Sequence, residues 1–127
     1  GNNNVAIGYF SLRSNQNSDS TAIGANALQS NISGEKNTAI GAQALTTNAN
    51  GSNLTCVGYG ADVSVDGLTN ASAFGSGAIV TASNAVVIGN SSVTSIQDCR
   101  AGKCVWTSFY SKAAPHHLSI RHGQISL

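Results

Sequence analysis

A chain of 127 residues with a net charge of +1 and 9% charged side chains has the length of one domain and lacks the basic face that nucleic acid requires. No apolar run approaches the ~20 residues of a membrane span. Alanine supplies much of the 41% hydrophobic content, so the long aliphatics are thinly spread, and chains this thin borrow a core from neighbours. With Gly at position 1, no Met and no legible signal peptide, the sequence reads as an excised piece of a longer product.

The first predicted strand, Val5-Ala6-Ile7, ends at Gly8, and the same unit returns along the chain. It is written Thr21-Ala22-Ile23-Gly24, Thr38-Ala39-Ile40-Gly41, Thr55-Cys56-Val57-Gly58, Ser72-Ala73-Phe74-Gly75 and Val86-Val87-Ile88-Gly89. The glycines are spaced by 16, 17, 17, 17 and 14 residues. A short fixed period marks a repeat architecture before any local propensity is considered. Branched residues on either side of a small one suit a pleated strand. Three positions after each glycine comes a small residue (Ser11, Ala27, Ala44, Ala61, Ala78, Ser92), usually followed by a larger one: Leu12, Leu28, Leu45, Ile79, Val93. Asp62 interrupts that ladder and Val63 follows it. Each unit therefore reads as strand, glycine corner, strand, loop. A sandwich of short strands is the other all-β option, but the strict register favours an all-β parallel roll of about six coils with like residues in ladders.

The loops, Asn15 to Ser20, Ser30 to Asn37, Thr46 to Asn53 and Ser64 to Asn70, are rich in Asn, Ser, Thr and Gly, which tolerate left-handed backbone and satisfy turns locally. Asn4, Asn37 and Asn84 stand at the corner before a strand. Alternation puts the Ile and Thr ladders on one face of the strands, with Ala and Gly on the other. The reading adopted places Ala22, Ala39, Cys56 and Ala73 inside the roll, and Ile7, Ile23, Ile40, Val57, Phe74 and Ile88 outward.

Composition changes after Ile96, giving a repeat region at 1–96 and a small cap or tip at 97–127. Cys99 and Cys104 flank a glycine turn, the lone Trp106 follows with Phe109 and Tyr110, and Pro115, His116, His117, Arg121 and His122 come after. With three cysteines, Cys99 and Cys104 read as a disulfide, within the hairpin or between chains, in an exported protein; the spacing does not fit a metal pair. Cys56 stands where sister units have Ala and reads as a small buried residue. His116, His117 and His122 are metal-ligand types, but no partner carboxylate orients them, and no metal or cofactor is assigned.

The Asn-Thr-Ala-Ile-Gly-Ala-x-Ala-Leu units, from about Asn2 to Val93, resemble the head repeats of trimeric autotransporter adhesins, the family typified by the Yersinia adhesin YadA. Similar repeats occur in bacterial and phage fibre proteins. The resemblance implies a left-handed parallel β-roll and an obligate homotrimer, at a cell surface or on a fibre or virion; the alternation read above makes the outward ladder of Ile7, Ile23, Ile40, Val57, Phe74 and Ile88 the choice for its trimer core. The segment Val93 to Phe109 also resembles the junction between phage fibre repeats and their C-terminal chaperone. That domain's expected Ser-Asp-x-Arg-x-Lys opening is replaced here by Tyr110-Ser111-Lys112-Ala113.

Other coil types fit less well. Acyltransferase coils repeat Ile-Gly every six residues, and calcium rolls need Gly-Gly-x-Gly-x-Asp turns. A Thr rank of an ice-binding kind would use Thr21, Thr38 and Thr55, yet one Thr per coil is ordinary strand chemistry. The acids Asp19, Glu35, Asp62, Asp66 and Asp98 lie on separate loops, and a glycosidase needs two carboxylates facing one bond. Ser111 with His116 lacks an orienting acid. Sequons at Asn31, Asn53, Asn70 and Asn90 are what the composition provides. The expected function is a non-enzymatic adhesin module that binds a glycan or protein receptor through Trp106, Phe109, Tyr110, His116, His117 and Arg121, since aromatic and Arg clusters anchor interfaces. A polysaccharide-degrading spike and a non-binding spacer are the alternatives.

Overall fold

The computed structural model describes residues 1–94 and, in backbone only, the strands at 96–100, 103–107, 120–121 and 124–125. All regular structure among the described residues is β. Six three-residue strands, β1 (Val5–Ile7), β2 (Thr21–Ile23), β3 (Thr38–Ile40), β4 (Thr55–Val57), β6 (Ser72–Phe74) and β8 (Val86–Ile88), pair in parallel as one sheet in the order β1-β2-β3-β4-β6-β8. Every pairing sets like on like, as in Ala22 beside Ala39 and Ile23 beside Ile40. The chain thus winds as a parallel β-solenoid, six strands bounding about five full turns where six coils were expected.

The expected second strand forms in two coils only, as β5 (Asp62–Val63) and β7 (Ile79–Val80), which pair in parallel. The earlier coils turn there instead, because Leu12, Leu28 and Leu45 adopt left-handed backbone at φ +51, +50 and +56. That twist delivers each leucine to the interior. The extended coils bury the next residue, Val63 and Val80, and leave Ile79 outside. Every coil enters this stretch through a tight turn in which the N–H three residues past the glycine donates to the glycine carbonyl, as from Ala44 to Gly41 at 3.2 Å. Its third residue has positive φ throughout (Phe10, Asn26, Gln43, Gly60, Gly77), the requirement of a type II turn.

The glycine corner is the tightest place in the molecule. Gly8, Gly24, Gly41 and Gly58 sit at φ +127 to +133, and the last three donate along the stack: Gly24 N–H to Ile7 O at 2.7 Å, Gly41 N–H to Ile23 O at 2.8 Å, Gly58 N–H to Ile40 O at 2.8 Å. A Cβ at Gly41 would stand 2.5 Å from the carbonyl oxygen of Gly58. Backbone abuts backbone, so nothing there can move aside.

The interior is narrow. Its apolar column is Ala22, Ala39, Cys56 and Ala73, with Ala27, Ala44, Ala61, Ala78, Leu28, Leu45, Val63 and Val80 opposite, all buried. The inward placement read from alternation is therefore what the fold adopts. On the loop side the interior is polar, which the repeat pattern did not announce. Asn31, Asn37 and Asn48 have no exposed surface. The Asn31 amide donates to Asn15 Oδ1 (2.7 Å) and Gly34 O (2.8 Å), and its oxygen accepts from Asn37 Nδ2 (3.3 Å) and Asn48 Nδ2 (3.0 Å). Both donors and both lone pairs are used. Asn37 Oδ1 in turn receives the N–H of Leu54 at 3.0 Å.

By contact clustering Gly1–Asn90 forms one compact unit and Ser91–Leu127 another. The second contains an antiparallel hairpin of β9 (Ile96–Arg100) and β10 (Lys103–Thr107), and a pair of β11 (Ile120–Arg121) with β12 (Gln124–Ile125).

Two substitutions separate collision from backbone strain. Gly60 has φ +61 but open space around its missing Cβ, so Gly60→Ala should cost about 1–2 kcal/mol in urea denaturation, the penalty of left-handed backbone alone. Gly41→Ala should abolish the cooperative transition. Asn31→Ala, which leaves the Asn37 and Asn48 amides with the Gly51 carbonyl alone and takes a buried N–H acceptor from each, should cost at least about 2 kcal/mol, given about 1–3 for each buried N–H left unpaired.

Candidate functional site

The sheet's outer face carries the ladder Ile7, Ile23, Ile40, Val57, Phe74 and Ile88, set in register by parallel pairing. Ile7 and Ile88 are 58% and 56% exposed, Ile40 and Phe74 38% each, with Ile23 and Val57 half-buried. Beside it runs a second ladder, Val5, Thr21, Thr38, Thr55, Ser72 and Val86, in the same register. The usual sheet arrangement is inverted here: small residues face in and branched ones face out. The only polar side chains of the two ladders are the hydroxyls of Thr21, Thr38, Thr55 and Ser72.

The acids are occupied individually. Asp62, expected on a loop, is buried on β5, where its carboxylate accepts from Thr46 Oγ1 (3.0 Å), Thr47 Oγ1 (2.9 Å) and Thr47 N–H (3.0 Å). Asp66 accepts the N–H groups of Ala49 (2.7 Å) and Asn50 (2.8 Å), together with the Asn50 amide. Partial desolvation opposes its charge, but the Asn50 and Ala49 N–H groups, the Asn50 amide and the Gly67 N–H outweigh it and hold the carboxyl below its ordinary value of 3.8. Asp19 accepts from Asn3 Nδ2 at 3.1 Å. Among the described residues no three His, Cys, Asp or Glu come together as a metal site, and no helix is long and apolar enough to cross a membrane.

Cys56 is buried and free. Burial, with a smaller push from the Asp62 charge, raises its thiol from 9.0 to about 12 despite a hydrogen bond with the Ala73 backbone. Of the sequons, Asn31 is consumed inside the roll, whereas Asn53 and Asn70 take left-handed backbone on the surface at φ +57 and +51.

The expected tip residues divide into two groups. Phe109, Tyr110, His116, His117 and His122 lie outside the described residues. Cys99, Cys104, Trp106 and Arg121 are described in backbone only: the β9–β10 register sets Cys99 opposite Cys104 and Gln97 opposite Trp106, and that of β11–β12 sets Arg121 opposite Gln124. One surface feature escaped the sequence reading. Tyr9 and Tyr59, one residue past corner glycines, are 70% and 60% exposed. Tyr9 also lies 3.9 Å from Phe10, centroid to centroid, and the Arg13 guanidinium stands 4.8 Å from the Phe10 ring. The available signal was a tyrosine where sister units have Ala25 and Ala42.

Comparison with protein-family models, with curated proteins and with solved structures finds no match to this chain.

Two titrations test these environments. Asp66 has a lowered folded pKa, so its stabilisation is present above 3.8 and lost as pH falls through the folded value. Asp66→Asn should therefore flatten the loss of melting temperature between about pH 5 and pH 2. Cys56 has a raised one, so its contribution is full below 9.0 and lost as pH rises toward about 12. At neutral pH a thiol reagent should leave the native Cys56 unmodified and label it only in denaturant.

Proposed function

We propose that this chain is a structural binding module: a left-handed β-roll that assembles as a homotrimer, in the manner of trimeric autotransporter adhesin heads and fibre proteins, and displays its surface to a glycan or protein receptor outside the cell. One observation carries the reading. The large apolar side chains stand as a rank in register on the outer sheet face, exposed at Ile7, Ile40, Phe74 and Ile88 and half-buried at Ile23 and Val57, while the interior column of β2, β3, β4 and β6 is alanine and cysteine. A solitary copy would leave that rank in water, at a cost near 25 cal/mol for each Å² left unburied. Exposed apolar patches of this kind mark association surfaces, and three copies related by one axis would cover it with like ladders.

The carboxylates favour a binding role over hydrolysis, because Asp62 and Asp66 are each engaged by several donors of the preceding coil's loop. Residues 97–127 are assigned to the cap, with Trp106, Phe109, Tyr110, His116, His117 and Arg121 as receptor contacts and a Cys99–Cys104 disulfide. Deleting 97–127 should then weaken receptor binding; undiminished binding would move the contact to the roll.

Light scattering on the purified chain should give three times the monomer mass. Ile40→Asp should prevent that assembly, because it places a charge in the middle of the rank. Val65→Asp, at a site 53% exposed on the loop side, should leave it intact. A monomeric wild-type chain would overturn the assembly, and a soluble trimer carrying Ile40→Asp would overturn the placement of its axis.

A further inference from the structure

Tyr9 and Tyr59 occupy the same place in the repeat, and between them that column carries Ala25 and Ala42. The four turns are stacked in register by the N–H groups of Asn26, Gln43 and Gly60, which donate to the carbonyls of Tyr9, Ala25 and Ala42 at 2.8, 2.9 and 3.0 Å. Three inter-strand steps of about 4.8 Å separate the tyrosines by about 14 Å along the column. This saddle is bounded by the two exposed tyrosines, with Ala25 and Ala42 between them and Asn26 and Gln43 following in the same turns. At the Tyr9 wall Phe10 adds a second ring with Arg13 over it. Phe10 sits at φ +56, where the equivalent residues of other coils are Asn26, Gln43, Gly60 and Gly77. A bulky residue is an outlier in that conformation. Its ring is 42% exposed, so core packing does not account for it, and strain of this kind points to function.

We infer that this saddle binds a linear oligosaccharide, lying along the column from Tyr9 to Tyr59; the inference rests on the reading of the chain as a receptor-binding module and names the ligand class. The apolar faces of pyranose rings stack on tyrosine, the Asn26 and Gln43 amides offer donors and acceptors to hydroxyls, and Arg13 supplies a cation for a sugar carboxylate. An added peptide strand fits less well, because it needs an open sheet edge and the carbonyls of this column already accept from the next coil. The column also lies beyond the glycine corner from the Ile rank assigned to other copies.

Calorimetry on the full chain, with neutral β-glucan and uronic-acid oligosaccharides of increasing length, tests the saddle. Affinity should rise with length until the probe reaches both tyrosines and then level off, with uronic acids preferred. Tyr9→Ala and Tyr59→Ala should each weaken binding about tenfold, the scale of one lost aromatic contact. Tyr59→Phe should preserve binding, and Arg13→Gln should remove the uronate preference. Light scattering on the same samples separates the two readings. Oligosaccharide binding by a monomer would uphold the saddle and overturn the trimer. An intact trimer that binds no probe would overturn the saddle, as would tyrosine variants that alter assembly instead of affinity, since a second copy would then be the occupant.

Discussion

The structure depends on one contact, the corner where a glycine of each coil rests on the backbone of the glycine in the next. At Gly24, Gly41 and Gly58 a methyl group would lie 2.5 to 2.6 Å from main-chain atoms of the following coil. Hydrogen bonds across the corner, 2.7 Å from Gly24 to Ile7 and 2.8 Å from Gly41 to Ile23, hold the coils at that distance. A slip of one residue would bring a Cβ into the gap and reverse which side chains face inward. The corner therefore fixes register as well as direction. Strands of three residues suffice because each is locked at its end by this contact.

Register so strict has consequences for the interior. With the walls this close, alanine fills the sheet side, and cysteine is tolerated at position 56 as a small residue whose thiol stays neutral. Bulk enters only from the opposite wall, through leucines turned inward by left-handed backbone at Leu28 and Leu45, or through Val63 and Val80 where the chain is extended. The large branched residues of the strands have no room inside. They are displaced to the outer face, and that displacement gives the sheet its exposed apolar ladder. The exposed apolar ladder and the narrow core have the same steric cause.

Much of this was legible in the sequence, since a repeat writes its constraints several times over. The glycine spacing revealed the stack, and the Ala–Ile alternation revealed which ladder lies inside. Three features were not legible. Leucine at positive φ defies its propensity, so the extended tract drawn after each corner was right only at Asp62–Val63 and Ile79–Val80. Asp62 looked like a loop acid because its burial depends on two threonines from the neighbouring coil. The asparagines looked like turn residues, and several are: Asn3, Asn53, Asn70 and Asn84 all sit at positive φ. Asn31, Asn37 and Asn48 instead fill the interior, a difference decided by partners sixteen or seventeen residues away and not by neighbours in the chain.

Those asparagines also illustrate how a ladder ends. A buried amide column must satisfy its last member or leave a polar group orphaned at considerable cost. Asn31 passes its hydrogen bonds in both directions, backward to Asn15 and forward to Asn48. Asn48 does not pass them on: its oxygen accepts the N–H of Gly51 at 2.8 Å, and its amide donates to the Gly51 carbonyl at 3.0 Å as well as to Asn31. The column closes within its own loop. The residue one period later, Val65, stands exposed, and the strand-entry column changes from Asn37 to Leu54 and Ala71 one coil earlier. Polar and apolar coils can therefore be joined in one stack, provided the last amide turns back on its own backbone. The common corner lets both kinds share one register, which explains how a roll with so small a core accommodates loops that differ in length and chemistry.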